Sequence, residues 1–210
     1  MPPPDGGIYR RRRTLTAHRI RQEALPLCRP EHNNNNCQKR MVKMKLAVIY
    51  DSKTGNTRQA AQWIAEGMAS VPGTEARIFH ISSVDADFVR ASVGVVIGCP
   101  TYAALMTPDM RVWLMSAGRL GMAGKLGGAF ATEQYTHGGG EMVIQSILTN
   151  EIVFGMLCYS GGGSFGKPII HMGPIGVNNN VESHNGLEYY KDNFTVFGER
   201  FAGKAAELFA

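Results

Sequence analysis

Apolar residues occur in two alternating patterns along the chain, and these predict strands and helices in turn. Continuous apolar runs at residues 46–50 and 93–98 are typical of strands buried on both faces. Residues 56–70 instead place apolar side chains on one side of a helix, and Pro108 opens another helix at the first-turn position that proline favours. The same reasoning predicts strands at residues 75–80, 125–132 and 156–159 and helices at residues 140–154 and 187–209.

Strands that alternate with helices in this way form a parallel sheet with helices on both of its faces. We therefore expect one α/β domain of three layers over residues 41–210, built on five parallel strands. Right-handed crossovers most simply give these strands the order 2-1-3-4-5. A hydrophobic content of 44%, with 25 Gly and 10 Pro, fits a globular domain with many loops. No apolar run reaches the ~18 residues needed to cross a bilayer, so no membrane partner is expected.

Residues 1–40 differ from the rest of the chain in composition. They contain runs of proline, arginine (residues 10–13) and asparagine (residues 33–36), with little apolar periodicity. Such a segment cannot bury enough surface to offset its chain entropy, so we expect a disordered, basic, low-complexity extension. It could serve as a solvated tail, a nucleic-acid patch or a targeting peptide, or translation could begin at Met41 or Met44 instead. A charge run alone is weak support for nucleic-acid binding, and we do not expect it.

The net charge of +5 belongs to this extension and not to the domain. Residues 1–40 hold nine basic and three acidic side chains, whereas residues 41–210 hold 13 basic and 14 acidic ones. The domain therefore carries a charge of −1, which gives no reason to expect a polyanionic partner.

Candidate chemistry lies in the loops that follow strands 1, 3 and 4. In an open α/β sheet, ligands bind beyond the carboxyl ends of the strands at the point where the winding direction changes, and for this strand order that point adjoins these loops. The loop after strand 1 runs directly into a helix and reads Ser52-Lys53-Thr54-Gly55-Asn56-Thr57. Three hydroxyls, backbone N–H groups and the positive end of a helix dipole suit a phosphate, and a glycine lets the backbone approach it closely. The alternative is that Ser52 or Thr54 only caps the helix.

The loops after strands 3 and 4 carry aromatic and polar residues. Pro100-Thr101-Tyr102 places a rigid proline beside an aromatic ring, which suits a wall against a flat heterocycle, although such residues also form ordinary turns. The loop after strand 4 reads Thr132-Glu133-Gln134-Tyr135-Thr136-His137-Gly138-Gly139-Gly140. Its backbone amides could bond the polar edge of the same ligand, and its three glycines could equally form a hinge.

The three loops together resemble those of the flavodoxin-like quinone reductases, the WrbA type of NAD(P)H:quinone oxidoreductase. The resemblance covers about residues 45–160. It is carried by residues 52–57, by Pro100-Thr101-Tyr102 with Met106 and Met110-Arg111, and by Lys125-Leu126 through Gly138-Gly139-Gly140-Glu141.

The resemblance implies a flavodoxin-like fold with bound FMN. The first loop would hold the FMN phosphate, the second its ring, and the third, from Thr132 to Gly138, the edge of that ring. His137 would place positive charge near N1 of the reduced ring and shift its potential, or would be an ordinary solvent-facing loop residue.

We accordingly expect an FMN-dependent oxidoreductase that takes hydride from NAD(P)H as co-substrate and passes electrons to a quinone-like acceptor. The alternative is a flavodoxin-type electron carrier whose partners are redox proteins. Such carriers are typically strongly acidic, so the domain's charge of −1 argues against the alternative.

The chain departs from the quinone-reductase pattern at three places. Thr54 stands where the family usually has an aromatic residue, and Phe154 stands where it has a histidine. Only residues 118–124 occupy the place of the family's tryptophan-bearing insertion. These departures weaken the expectation of NAD(P)H and quinone, and any inference of a tetramer, but not that of the flavin. A homo-oligomer stays possible.

No side chain need act as a nucleophile or general base, and we expect no catalytic residue and no metal ligand. The four cysteines form no Cys-x-x-Cys pair, and Cys99 is expected to pack as a small apolar side chain. The N-terminus lacks the apolar stretch of a secretory signal, so the expected compartment is the cytoplasm.

Overall fold

The computed structural model describes residues 43–178 and 186–209. Strands and helices alternate along this part of the chain. The strands are β1 (Met44–Tyr50), β2 (Thr74–His80), β3 (Gly94–Tyr102), β4 (Leu105–Met106), β5 (Leu126–Glu133), β6 (Leu157–Cys158) and β7 (Ile175–Val177). The α-helices are α1 (Asn56–Ala69), α2 (Ala86–Ala91), α3 (Pro108–Ala117), α4 (Gly140–Val153) and α5 (Lys191–Phe209). A 3₁₀ turn at Leu187–Tyr190 leads into α5, where the sequence predicts a single helix.

The strands form a parallel sheet in the order β2-β1-β3-β5-β6. Strand β4 is the short second arm of a hairpin and pairs antiparallel with β3, outside this row. When β4 is left out of the count, the order is the predicted 2-1-3-4-5. The predicted α/β fold is confirmed.

The two faces of the sheet bury two separate apolar clusters, as the alternation of side chains along a strand requires. On β1, Leu46 and Val48 point into a cluster with α1 and α5, whereas Ala47 and Ile49 point into a cluster with α2, α3 and α4. All four side chains are fully buried. The continuous apolar run of β1 is thus explained by helices on both faces of the sheet.

The fifth strand differs from its predicted form. In place of one strand at residues 156–159, β6 pairs with the start of β5 and β7 pairs with its end. Residues 159–174 lie between these two pieces, outside the sheet. Arg200 on α5 holds this insertion through its guanidinium, which donates to the backbone oxygens of Gly161 (3.3 Å) and Pro168 (3.1 Å). Strands of two and three residues are too short to give a periodic signal, which is why the sequence reveals only part of this edge.

Two glycines of β5, which weaken the sequence signal for a strand, are required by packing. A Cβ at Gly127 would lie 2.6 Å from Oε2 of Glu151, and one at Gly128 would lie 3.0 Å from the ring of Phe201. Glu151 is completely buried on α4, and its Oε2 accepts a hydrogen bond from the thiol of Cys158, whose Sγ is 3.7 Å away, whereas Oε1 has no partner among the described residues. Burial raises the pKa of Glu151 to about 8, which favours the protonated carboxyl in the folded chain.

Two further expectations concern the N-terminal extension and the absence of a membrane-spanning segment. The expected disordered extension at residues 1–40 lies outside the described residues. Within the described ranges, no helix is long and apolar enough to cross a membrane.

Candidate functional site

The three loops singled out by the sequence meet at the carboxyl edge of the sheet, because β1, β3 and β5 are adjacent. They surround a cleft of about 420 Å³. Its lining consists of Lys53, Thr54, Asn56, Thr57, Pro100, Thr101, Tyr102, Thr132, Glu133, Gln134 and Asn178. Five predicted site residues do not line the cleft in this structure, namely Ser52, Gly55, Tyr135, His137 and Gly138.

The loop after β1 leaves the N-terminus of α1 without a side-chain cap. Gly55 is the N-cap residue, with φ of 97°, and has no side chain with which to cap the helix; within the described ranges no side chain accepts a first-turn N–H of α1. Ser52 Oγ instead accepts the Gly55 N–H at 3.1 Å, and Thr54 Oγ1 accepts the side-chain amide of Asn56 at 3.3 Å. A Ser or Thr cap is therefore not the reason for this loop, and the first-turn N–H groups are left for an anion.

Thr57 and Thr132 join the first and third loops at the base of the cleft. Their hydroxyl oxygens are 2.8 Å apart, and both residues are buried. Since one hydroxyl donates to the other, the accepting hydroxyl keeps its own proton for a further acceptor.

The second loop contributes a hydroxyl that is buried and unsatisfied. Thr101 Oγ1 has no hydrogen-bond partner among the described residues, although Thr101 lines the cleft. Such a group costs free energy unless a ligand or a water bonds to it. A polar ligand in the cleft would supply that partner.

Tyr102 ends β3 at the mouth of the cleft and is 45% exposed. Ala103 and Ala104, which turn the chain from Tyr102 to β4, both have positive φ, of 50° and 63°. Residues other than glycine occupy that region at a cost. The Cα of Ala104 would lie 2.7 Å from a Cβ at Gly139, so the third loop packs directly on this hairpin.

The third loop is held by Glu133, whose carboxylate accepts the N–H of Gly140 at the start of α4, at 2.8 Å. Burial raises the pKa of Glu133, against the effect of this backbone bond. Because the carboxylate is engaged in this way, a contact of Glu133 with a cofactor would use its backbone. His137 is exposed in the same loop and has φ of 62°.

Sequence reasoning missed three residues of this region. Asn178 follows β7 and lines the cleft, but β7 itself was not predicted. Asp51 and Thr107 lie beneath the cleft, completely or almost completely buried, and the Thr107 hydroxyl donates to Asp51 Oδ2 at 2.5 Å. The sequence did contain a signal for Asp51, because this charged residue directly follows an apolar strand and directly precedes a glycine-containing loop.

Cys99 lies in the core of β3 and does not line the cleft. Burial raises the pKa of its thiol to about 12, so the group stays neutral and apolar in character.

A parallel α/β sheet whose carboxyl edge carries a glycine-containing loop that leads into a helix, an exposed tyrosine and a polar third loop is typical of flavodoxin-like proteins. The flavodoxin family model matches residues 48–111. The flavodoxin of Clostridium saccharobutylicum is 36% identical over 166 residues, which are 79% of this chain and the whole of that protein. The chain belongs to the flavodoxin family.

Other relatives extend toward the quinone reductases. The NAD(P)H dehydrogenase (quinone) of Chromohalobacter salexigens is 30% identical over 137 residues, which cover 53% of this chain and 68% of that protein. Among solved structures, a WrbA-like flavodoxin from Agrobacterium tumefaciens matches with a TM-score of 0.63 at 17% identity, over 79% of this chain and 99% of that one. These matches confirm the resemblance drawn from the sequence.

Proposed function

We propose that the chain binds FMN in the cleft at residues 52–57, 100–102 and 132–134 and works as an electron carrier between redox proteins. Three features of the cleft fit FMN: the uncapped N-terminus of α1, the unsatisfied hydroxyl of Thr101 and the tyrosine at the mouth. Bound FMN would supply the redox chemistry, while the protein positions it and sets its electronic surroundings.

The phosphate subsite in this proposal consists of the first turn of α1 and the hydroxyls of Thr54 and Thr57, which line the cleft. The Ser52 hydroxyl does not line the cleft in this structure and would have to turn toward the phosphate to donate its proton. Lys53 adds positive charge there, although its ammonium also pairs with Asp109, which raises the Lys53 pKa and keeps it charged. The helix dipole and the hydroxyls act on an anion without any proton transfer.

One observation carries the choice of a carrier. Exposed apolar side chains lie on the loops that form the cleft: Tyr102, which lines it, at 45%, its hairpin partner Leu105 at 63%, and Tyr135 of the third loop at 58% exposure. Exposed apolar groups that adjoin a polar site are typical of surfaces that meet another protein. The match over the whole length of a flavodoxin, which covers 79% of this chain, supports the same choice. It outweighs the domain's charge of −1, and we therefore rank the carrier above the enzyme that the sequence favours.

The second candidate is an NAD(P)H:quinone oxidoreductase, as expected from the sequence. It is favoured by the relatives named NAD(P)H dehydrogenase (quinone), which are 29–30% identical. Thr54 in place of an aromatic residue argues against a nicotinamide subsite here.

Anaerobic mixing of the FMN-loaded protein with NADH and with NADPH separates the two candidates. We expect no bleaching of the flavin absorption band within seconds, because a carrier has no site for the nicotinamide. Dithionite serves as the positive control for reduction. Rapid bleaching by either nucleotide would establish the enzyme instead.

We expect Tyr102→Ala to lower FMN affinity several-fold to tenfold, because an aromatic pair contributes ~0.5–1.5 kcal/mol beyond the area that it buries. The midpoint potential should rise modestly, because an electron-rich phenol over the ring favours the oxidised flavin. Tyr102→Phe keeps the ring and should resemble the wild type.

Dissociation constants and potentials of both variants test this contact, with Tyr189→Ala as a control that removes an exposed tyrosine elsewhere. If Tyr102 is instead anchored through its hydroxyl, Tyr102→Phe will already cause most of the loss. Unchanged values in Tyr102→Ala would exclude Tyr102 from the flavin site.

A further inference from the structure

Two bonds connect the phosphate loop, residues 52–57, and Asp51, which precedes it, to the start of α3. At the surface, the ammonium of Lys53 pairs with Asp109. Beneath the loop, the hydroxyl of Thr107 donates to Asp51 Oδ2 at 2.5 Å. Asp51 has no exposed surface and Thr107 is 1% exposed, so water does not compete for the second bond.

The hydroxyl of Thr107 has two partners at once. It donates to Asp51, and its oxygen accepts the N–H of Met110 at 3.2 Å, which makes Thr107 the N-cap of α3. Thr107 also follows β4 directly, and β4 pairs with the end of β3 where Tyr102 lies. Thr107 therefore connects the end of β1 to the start of α3 through its side chain, and its backbone continues directly from the hairpin that carries Tyr102.

We propose that Asp51 and Thr107 are positioning residues that fix the phosphate loop relative to the Tyr102 hairpin and so set the span between the phosphate and ring subsites. This inference rests on the proposed binding of FMN in the cleft. The ligand must reach both subsites at once, so its affinity depends on their separation, whereas a ligand that uses one subsite does not sense it.

Of these two bonds, the buried one between Thr107 and Asp51 contributes more to holding the phosphate loop in place. Lys53 and Asp109 are both about half exposed, and ion pairs of that kind contribute little. Asp51 depends on Thr107 more strongly, because its other oxygen has no hydrogen bond within the described residues and lies 3.4 Å from Nε2 of His80. Without the hydroxyl, the end of β1 would rearrange to find another partner for the buried carboxylate.

The test compares FMN with riboflavin, which has the same ring and no phosphate. We expect Thr107→Val to raise the FMN dissociation constant roughly tenfold, the loss of about one buried hydrogen bond, and to change that of riboflavin less than about twofold. Thr107→Ser keeps the hydroxyl and should restore the wild-type preference for FMN. Should Thr107→Val fail to fold, Thr107→Ala removes the same hydroxyl and carries the same expectation.

Asp85→Ala is the matched control, because Asp85 caps α2 through the N–H groups of Asp87 and Phe88 but has no bond to the phosphate loop. We expect it to destabilise the fold to a similar degree and to leave the ratio of the two affinities unchanged. Equal losses for both ligands in Thr107→Val, unchanged FMN affinity, or the same selective loss in the control would overturn the inference. If the wild-type chain binds neither ligand, the proposed function fails, and this inference fails with it.

Discussion

FMN is expected to bind at least a hundredfold more tightly than riboflavin. The hydroxyls of Ser52, Thr54 and Thr57 and the first-turn N–H groups of α1 donate hydrogen bonds to the phosphate, and riboflavin has no phosphate to accept them. Each charge-assisted hydrogen bond contributes ~1.5–3 kcal/mol, so two of them already account for a factor of about a hundred or more.

Titration of the apoprotein with each flavin, followed by flavin fluorescence, measures both dissociation constants. The purified protein should also be yellow if FMN stays bound. Equal affinity for the two flavins would mean that residues 52–57 do not hold the phosphate. In that case the uncapped start of α1 would need another explanation.

The second large effect is expected on stability, at Glu151, which does not line the cleft. Because burial raises its pKa from the usual 4.5 to about 8, the folded chain keeps a proton that the unfolded chain has lost at intermediate pH. The unfolded state then binds fewer protons, so the contribution of Glu151 to the free energy of unfolding falls as the pH rises from about 4.5 to about 8 and is constant above that. Glu151→Gln mimics the protonated carboxyl and should remove this slope.

At pH 8.5 we expect Glu151→Gln to be more stable than the wild type by at least ~2 kcal/mol. A folded-state pKa that lies one unit above the unfolded-state pKa lowers the free energy of unfolding of the ionised form by about 1.4 kcal/mol. At pH 5 the two proteins should have similar stability. Urea unfolding at both pH values measures the difference, and Glu66→Gln, an exposed glutamate on α1, is the control. A variant that shows the same pH dependence as the wild type would contradict a protonated, buried Glu151.

The layers and the strand order could be predicted because each depends on local signals. A run such as Leu46–Tyr50, apolar at every position, has to be covered on both faces, and the intervening helices dictate parallel pairing. The split fifth strand could not be predicted. Strand β7 has three residues, and its place is fixed by hydrogen bonds with β5 and by the contacts that Arg200 makes with the insertion.

The candidate site was predicted in its loops but not in what supports them. The hydroxyls and the glycine at residues 52–57 are contiguous in the chain, so the sequence alone reveals that they occur together. The bond between Asp51 and Thr107 joins residues 56 positions apart, and the contact of Gly139 with Ala104 joins two loops through the fold. Glu133 was named as a candidate cofactor ligand because it lies in the loop whose backbone amides could bond the edge of the ring. Only the structure reveals that its carboxylate accepts the N–H of Gly140 at the start of α4.

The most direct test of the account is a crystal structure of the chain grown with FMN. We expect the phosphate within hydrogen-bond distance of the first-turn N–H groups of α1 and of the Ser52, Thr54 and Thr57 hydroxyls, with the ring against Tyr102. A phosphate held outside residues 52–57, or a ring that lies away from the cleft between β1, β3 and β5, would contradict it.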